Sequence, residues 1–268
     1  MPQPPRVYKA TAIVLRQRRL GDADKIVTLY SAEHGKLDAI AKGVRRTRSR
    51  LAGPVEPLNH GSYLLARGRN LDIVTQAQTI EPFQPIRDDL GRLSRALYVA
   101  ELTDRATEER AENFALYRLL LDTMRRLSER DDLDFIVRFF EMSLLVQLGY
   151  RPELSRCGAC GGSLAAEGNR WASGVGGAVC PNCRPAEVTL RSLSPNALKV
   201  LRLLQSESFQ EVSQLSVAGE LGDELERHLR DAIHHALDRD VRSAAFLDVV
   251  RRRTRERSVG PVRGAGSR

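Results

Sequence analysis

No apolar run in the sequence approaches the roughly 18 residues that a membrane-spanning helix requires, which argues against an integral membrane protein. The opening Met1-Pro2-Gln3-Pro4-Pro5-Arg6 leads into alternating polar and apolar residues instead of a signal-type hydrophobic stretch, so the expected location is the cytoplasm. Phosphate loops of the GxxxxGK[ST] type are missing, as are HExxH and GxSxG, and their absence argues against the commonest ATPases, zinc peptidases and serine hydrolases. Aromatic residues make up only 5% of the chain, with Tyr8, Tyr30 and Tyr63 the only ones before Phe83. Base stacking is therefore a minor expectation for any nucleic-acid contact made by this part of the chain. Cysteine is equally scarce. There are four in 268 residues, all in two C-x-x-C pairs, and in a reducing compartment that economy points to a metal site and not to disulfides.

What the sequence has in excess is positive charge, +8 overall with an isoelectric point near 9.7. The excess is unevenly placed. Residues 1–80 carry +8, residues 81–248 carry −6, and residues 249–268 carry +6. A basic N-terminal segment raises the local concentration of polyanions, and nucleic acid is the leading partner class. Six cationic side chains, Lys36, Lys42, Arg45, Arg46, Arg48 and Arg50, fall within fifteen residues, with small or hydroxylated residues between several of them. That spacing lets many of them meet a phosphate backbone together, whereas an isolated run of this kind is often just a solvated loop.

Hydropathy divides the chain. Between Val7 and Ile80, β-branched and alternating segments near 8–18, 25–32, 36–42, 61–67 and 71–80 predict five strands, with turns at His34-Gly35 and at Arg67-Gly68-Arg69-Asn70. Five short strands with a long basic connection after the third suit an OB-type β-barrel, and an SH3-like barrel gives a similar string. Two prolines in Glu81-Pro82-Phe83-Gln84-Pro85 end the pattern. Helical stripes follow at Leu90, Leu93, Leu97 and Ala100, at Tyr117, Leu120, Leu121 and Met124, and at Phe135, Phe139, Met142 and Val146. Asp88, Asn113 and Asp132 are the expected N-caps, and Gly149 the expected stop. Ser194-Pro195 opens a helix through Leu198, Leu201 and Leu204, and a last helix carries Leu225, Leu229, Ile233 and Leu237.

Cys157-Gly-Ala-Cys160, nineteen residues, then Cys180-Pro-Asn-Cys183 matches a four-thiolate zinc site. Four thiolates fill a tetrahedral shell, so the expected role is structural. Asp22 and Asp24 read as a polar turn more readily than as a metal-binding pair for a nuclease. His234 and His235, adjacent on a helix, point in different directions. The predicted class is α+β, divided as follows: an OB-type domain over 1–81, helices over 82–151, a zinc module over 152–187, helices over 188–250, and a basic, disordered tail over 251–268 that includes Arg251, Arg252, Arg253, Arg255 and Arg257.

The stretches Ala12-Ile-Val-Leu-Arg16, Gly21-Asp-Ala-Asp24-Lys-Ile-Val-Thr28-Leu and His34-Gly-Lys36-Leu-Asp-Ala-Ile-Ala-Lys42-Gly43-Val-Arg45-Arg46 resemble the N-terminal domain of the RecO recombination mediators. Val55-Glu-Pro-Leu58, the hairpin Gly68-Arg-Asn-Leu-Asp-Ile73 and an Arg-Ser…Phe-Leu segment at 242–247 extend the likeness. The resemblance implies a non-enzymatic protein that binds single- and double-stranded DNA and anneals complementary strands. It also implies action with RecR and the single-strand binding protein SSB to place RecA on DNA, and association with the nucleoid when DNA-bound. The family's basic segment maps to Lys36, Lys42, Arg45, Arg46, Arg48 and Arg50. An SSB tail that is acidic and apolar would need a local basic pocket in the net-negative helical part, with Arg125 and Arg126, or Arg227 and Arg230, as candidates. The competing reading is a zinc-containing RNA-binding or transcription-associated protein.

Overall fold

The computed structural model describes residues 6–215, 217–237, 247, 249 and 250. Five strands, β1 (Val7–Leu20), β2 (Asp24–Ser31), β3 (Gly35–Ala41), β4 (His60–Ala66) and β5 (Asp72–Glu81), close into a barrel in the order β1-β2-β3-β5-β4. The long β1 makes closure possible. Its first half pairs with β4, its second half with β2, and a register shift between Val14 and Arg16 bends it between the two. The seam between β3 and β5 is short and parallel, with Ala39 opposite Asp72 and Ile40 opposite Ile73.

Alternation sends Ala10, Ala12, Val14, Val27 and Leu29 into the barrel. Ile13, Leu15 and Tyr30, on the other face, join the core of the helical part. Being buried on both faces explains why β2 reads as one apolar run.

The chain then forms α1 (Gln84–Asp88), α2 (Leu90–Ala106), α3 (Phe114–Glu129) and α4 (Leu133–Gln147). A small sheet of β6 (Arg170–Ala172), β7 (Gly177–Val179) and β8 (Arg191–Ser192) follows, in the order β7-β6-β8. The remaining helices are α5 (Pro195–Ser206), α6 (Phe209–Val212) and α7 (Gly219–Leu237). Among the described residues no helix is long and apolar enough to cross a membrane.

Three local expectations need correction. Asp88 is not the cap of α2, because the single turn of α1 absorbs it and the Asp89 carboxylate accepts from the Arg92 amide instead. Asp132 sits at the N-cap of α4 but makes no capping bond, since its carboxylate pairs with Arg130 at 2.9 Å. Leu90 is exposed, and the buried face of α2 runs through Ala96, Val99, Ala100 and Thr103, because this helix is wedged among α1, α3, α4 and β1 and is covered on more than one side. Asn113 and Ser194 cap as expected, through Leu116 and Ala197. Of the 242–247 segment only Leu247 is described, and it is buried; the tail 251–268 lies outside the described residues.

Candidate nucleic-acid interface and four-cysteine cluster

The connection from β3 to β4 is a chain of turns fastened to the barrel. Val44 and Val55 are buried in the barrel core, the Gly43 amide donates to Asp24 Oδ1 at 2.7 Å, and the Arg45 amide donates to the Ala23 carbonyl at 3.0 Å. Asp24 is thereby a turn anchor. Rigid fastening leaves the tips free. Lys42, Arg45, Arg46, Arg48 and Arg50 are all exposed, and among the described residues none of them makes an ion pair. The Arg45 guanidinium donates to the Asp22 carbonyl at 2.8 Å, which aims it across the β1–β2 turn.

Lys36 is set apart from these five. Its ammonium donates to the Asp104 carbonyl at 2.5 Å, lies 3.3 Å from the Asp104 carboxylate and is half-buried against the end of α2. Arg16 reaches the same carboxylate at 2.7 Å.

Beside Arg45, four residues beyond the basic connection complete an open cleft of about 480 Å3 lined by Gln17, Arg18, Arg19, Lys25 and Arg45. In the β1–β2 register Gln17 lies opposite Val27 and Arg19 opposite Lys25. Directly opposed residues share a face, so the inward face of the barrel continues past its apolar core into a basic mouth. The run Arg16-Gln-Arg18-Arg19 was visible in the sequence. Its approach to Lys25 and Arg45 depends on register.

The four cysteine sulfurs lie within 4.8 Å of one another. Tetrahedral zinc with Zn–S of about 2.3 Å needs sulfurs about 3.8 Å apart, so the donor set and its spacing fit such an ion. Burial opposes ionisation of Cys157, but hydrogen bonds from the amides of Cys180, Cys160 and Ala159 outweigh it and bring the thiol down to about 6. Cys183 is pushed up to about 12, chiefly by hydrogen bonding with Cys160 and Cys180. Four sulfurs this close cannot all ionise alone, and a divalent cation removes that conflict.

The module is not self-contained. Trp171 is fully buried in the helical core, stacks on His228 of α7 with ring centres 5.2 Å apart, and donates to Ser173, whose hydroxyl donates to Asp231.

The profile for "Recombination protein O N terminal" matches residues 6–83, and that for "Recombination protein O C terminal" matches residues 87–245. The chain belongs to the RecO family. Relatives named DNA repair protein RecO include that of Roseiflexus sp. strain RS-1, 41% identical over 98% of this chain and 93% of the relative. The one from Pelotomaculum thermopropionicum is 40% identical over 91% and 94%. That of Dehalococcoides mccartyi strain CBDB1 is 36% identical over 92% and 97%. It is therefore a DNA-repair protein of the RecO type, with an OB-like barrel at its N-terminus.

The cations of the RecO-type helical part differ in their freedom. Arg125 is held bidentately by Glu81 at 2.7 and 2.9 Å, and Arg230 pairs with Glu226 at 2.9 Å. Arg126 lies over the Phe209 ring at 4.0 Å and near Phe139 at 5.6 Å, with Arg130 also above Phe209. Burial lowers the Arg126 pKa.

Proposed function

We propose that this protein is a recombination mediator that binds single- and double-stranded DNA on the basic mouth of its barrel and anneals complementary strands. With RecR it helps to load RecA onto SSB-coated DNA, and it catalyses no covalent step. The observation that carries this reading is the exposed arc Lys42, Arg45, Arg46, Arg48 and Arg50, anchored at its base and continuous with the Arg18–Arg19–Lys25 cleft. Cations held near one another without carboxylate partners gain most from displacing the counterions of a polyanion. Lys36 contributes by fixing the barrel to α2 and makes no direct contact with DNA. In this reading residues 1–81 are the DNA-binding unit, the helices over 82–151 and 188–250 its support, 152–187 a structural zinc module, and 251–268 a basic tail.

For the SSB tail the candidate cation on the helical part is Arg126, whose guanidinium packs on the buried rings of Phe209 and Phe139. The test is fluorescence-detected annealing of complementary oligonucleotides, bare and SSB-coated. Acceleration of both supports the mediator reading, whereas binding without annealing favours a simple RNA- or DNA-binding protein. If about five phosphates are engaged, the log–log salt slope on single strands is roughly −3.5, at about −0.7 per contact. Arg45→Ala with Arg46→Ala then flattens it by roughly 1.4, and Lys36→Ala leaves it unchanged.

A further inference from the structure

The basic mouth has an electrostatic cost built into it. Arg19 and Lys25 are direct partners across the antiparallel β1–β2 pair, and like charges in that position repel. Arg45 enters the same cleft. Neighbouring carboxylates relieve only part of this. Glu56 accepts from Gln17 at 3.2 Å and from Lys25 at 3.4 Å, and Asp38 lies 3.5 Å from Arg18, while Arg19 makes no ion pair among the described residues. Such an arrangement is stabilised by an anion seated between the cations.

Among the described residues no aromatic ring lines this cleft. Tyr30 and Tyr63 are fully buried. Tyr8 lies at the other end of β1, its hydroxyl bound to Asp72 and its ring under the Arg67 guanidinium at 5.1 Å. A single strand entering the cleft meets guanidinium and ammonium groups and, among the described residues, no aromatic platform. Proteins that hold bases do so on such platforms.

We infer that the cleft grips the sugar–phosphate backbone alone and turns the bases outward, so that its ligand class is a linear chain of phosphates whether or not it carries bases. The inference rests on the DNA-binding reading above and specifies its mode. A strand held this way keeps its Watson–Crick edges free for a second strand, so binding and annealing do not compete.

Fluorescence anisotropy with the full-length protein tests this, using an oligothymidylate, an abasic oligonucleotide of the same length, and inorganic polyphosphate as competitor. The expected result is that the two oligonucleotides bind within about threefold of each other and that polyphosphate displaces both. One stacked base strengthens binding by roughly 5- to 150-fold, so abasic binding about fivefold weaker or more overturns the inference while leaving DNA binding intact. Failure of every oligonucleotide to bind would instead remove the reading on which it rests. Arg19→Gln relieves the cross-strand repulsion, so it should melt no lower than the parent while binding both oligonucleotides more weakly by the same factor. Unchanged binding of both would show that the phosphates lie outside the cleft and also overturn the inference.

Discussion

At the scale of single residues, the barrel is joined to the helices by contacts that tolerate little change. Gly35 has φ +63°, and a Cβ there would stand 2.2 Å from the Ala111 carbonyl oxygen, which is backbone and cannot move aside. Gly35→Ala is expected to cost at least about 2 kcal/mol, the left-handed penalty plus the clash, whereas Gly53→Ala, in open space, should stay within about 0.5 kcal/mol. Denaturant melts of the two variants check this. His60 joins β4 to α3, with its ring nitrogens 3.0 Å from Glu81 and 2.9 Å from the Tyr117 hydroxyl. Burial lowers its pKa against the opposing pull of Glu81, so protonation favours the unfolded chain. The stability due to the neutral ring is complete above about 6.5 and is lost as pH falls below that value towards the lower folded-state pKa. His60→Gln should therefore show a smaller drop in melting temperature between pH 7.5 and 5.5 than the parent, with protonation of the cysteine cluster common to both.

At the scale of elements, the cysteine module and α7 behave as one unit. The small sheet places Trp171 against His228, and Leu154 and Ala178 share the helical core with Leu225 and Leu229. Outside this contact the module holds a small apolar cluster around Cys157, Ala172, Val179 and Cys180, so a metal on the four sulfurs, as proposed above, would supply much of the order of this glycine-rich segment. If the four sulfurs hold zinc as proposed, a strong chelator is expected to speed hydrogen exchange at least tenfold over 152–187 and to loosen α7 next, while β1–β5 keep their protection. Exchange mass spectrometry resolves the three regions. Uniform loss of protection would mean that the module supports the whole fold.

At the scale of the whole molecule, charge is separated between the parts, and the interface uses some of it. Asp104 accepts from both Arg16 and Lys36, and the Arg110 amide donates to the Lys36 carbonyl at 2.9 Å, so the 107–112 segment closes over the start of β3. Asp104→Ala should lower stability by about 1–2 kcal/mol, because two cations lose their partner at a half-buried site. It should leave the DNA salt slope unchanged within error, since the basic mouth lies elsewhere on the barrel. Equilibrium melts together with binding at several salt concentrations separate the two effects.

Alternation in β1 to β5, the turn residues at Gly35 and Gly68, and the two C-x-x-C pairs are local signals, written in neighbouring residues. The sequence alone therefore yielded the barrel, the helical part, the four-sulfur cluster and the basic arc from Lys42 to Arg50. The remainder depended on closure. Whether Lys36 faces a phosphate or a carboxylate, whether Arg19 meets Lys25, and which side of α2 is buried are set by cross-strand register and by packing between residues far apart in the chain. Those distances are not encoded in any short window, and only the closed barrel, docked on its helices, brings the groups within reach of one another.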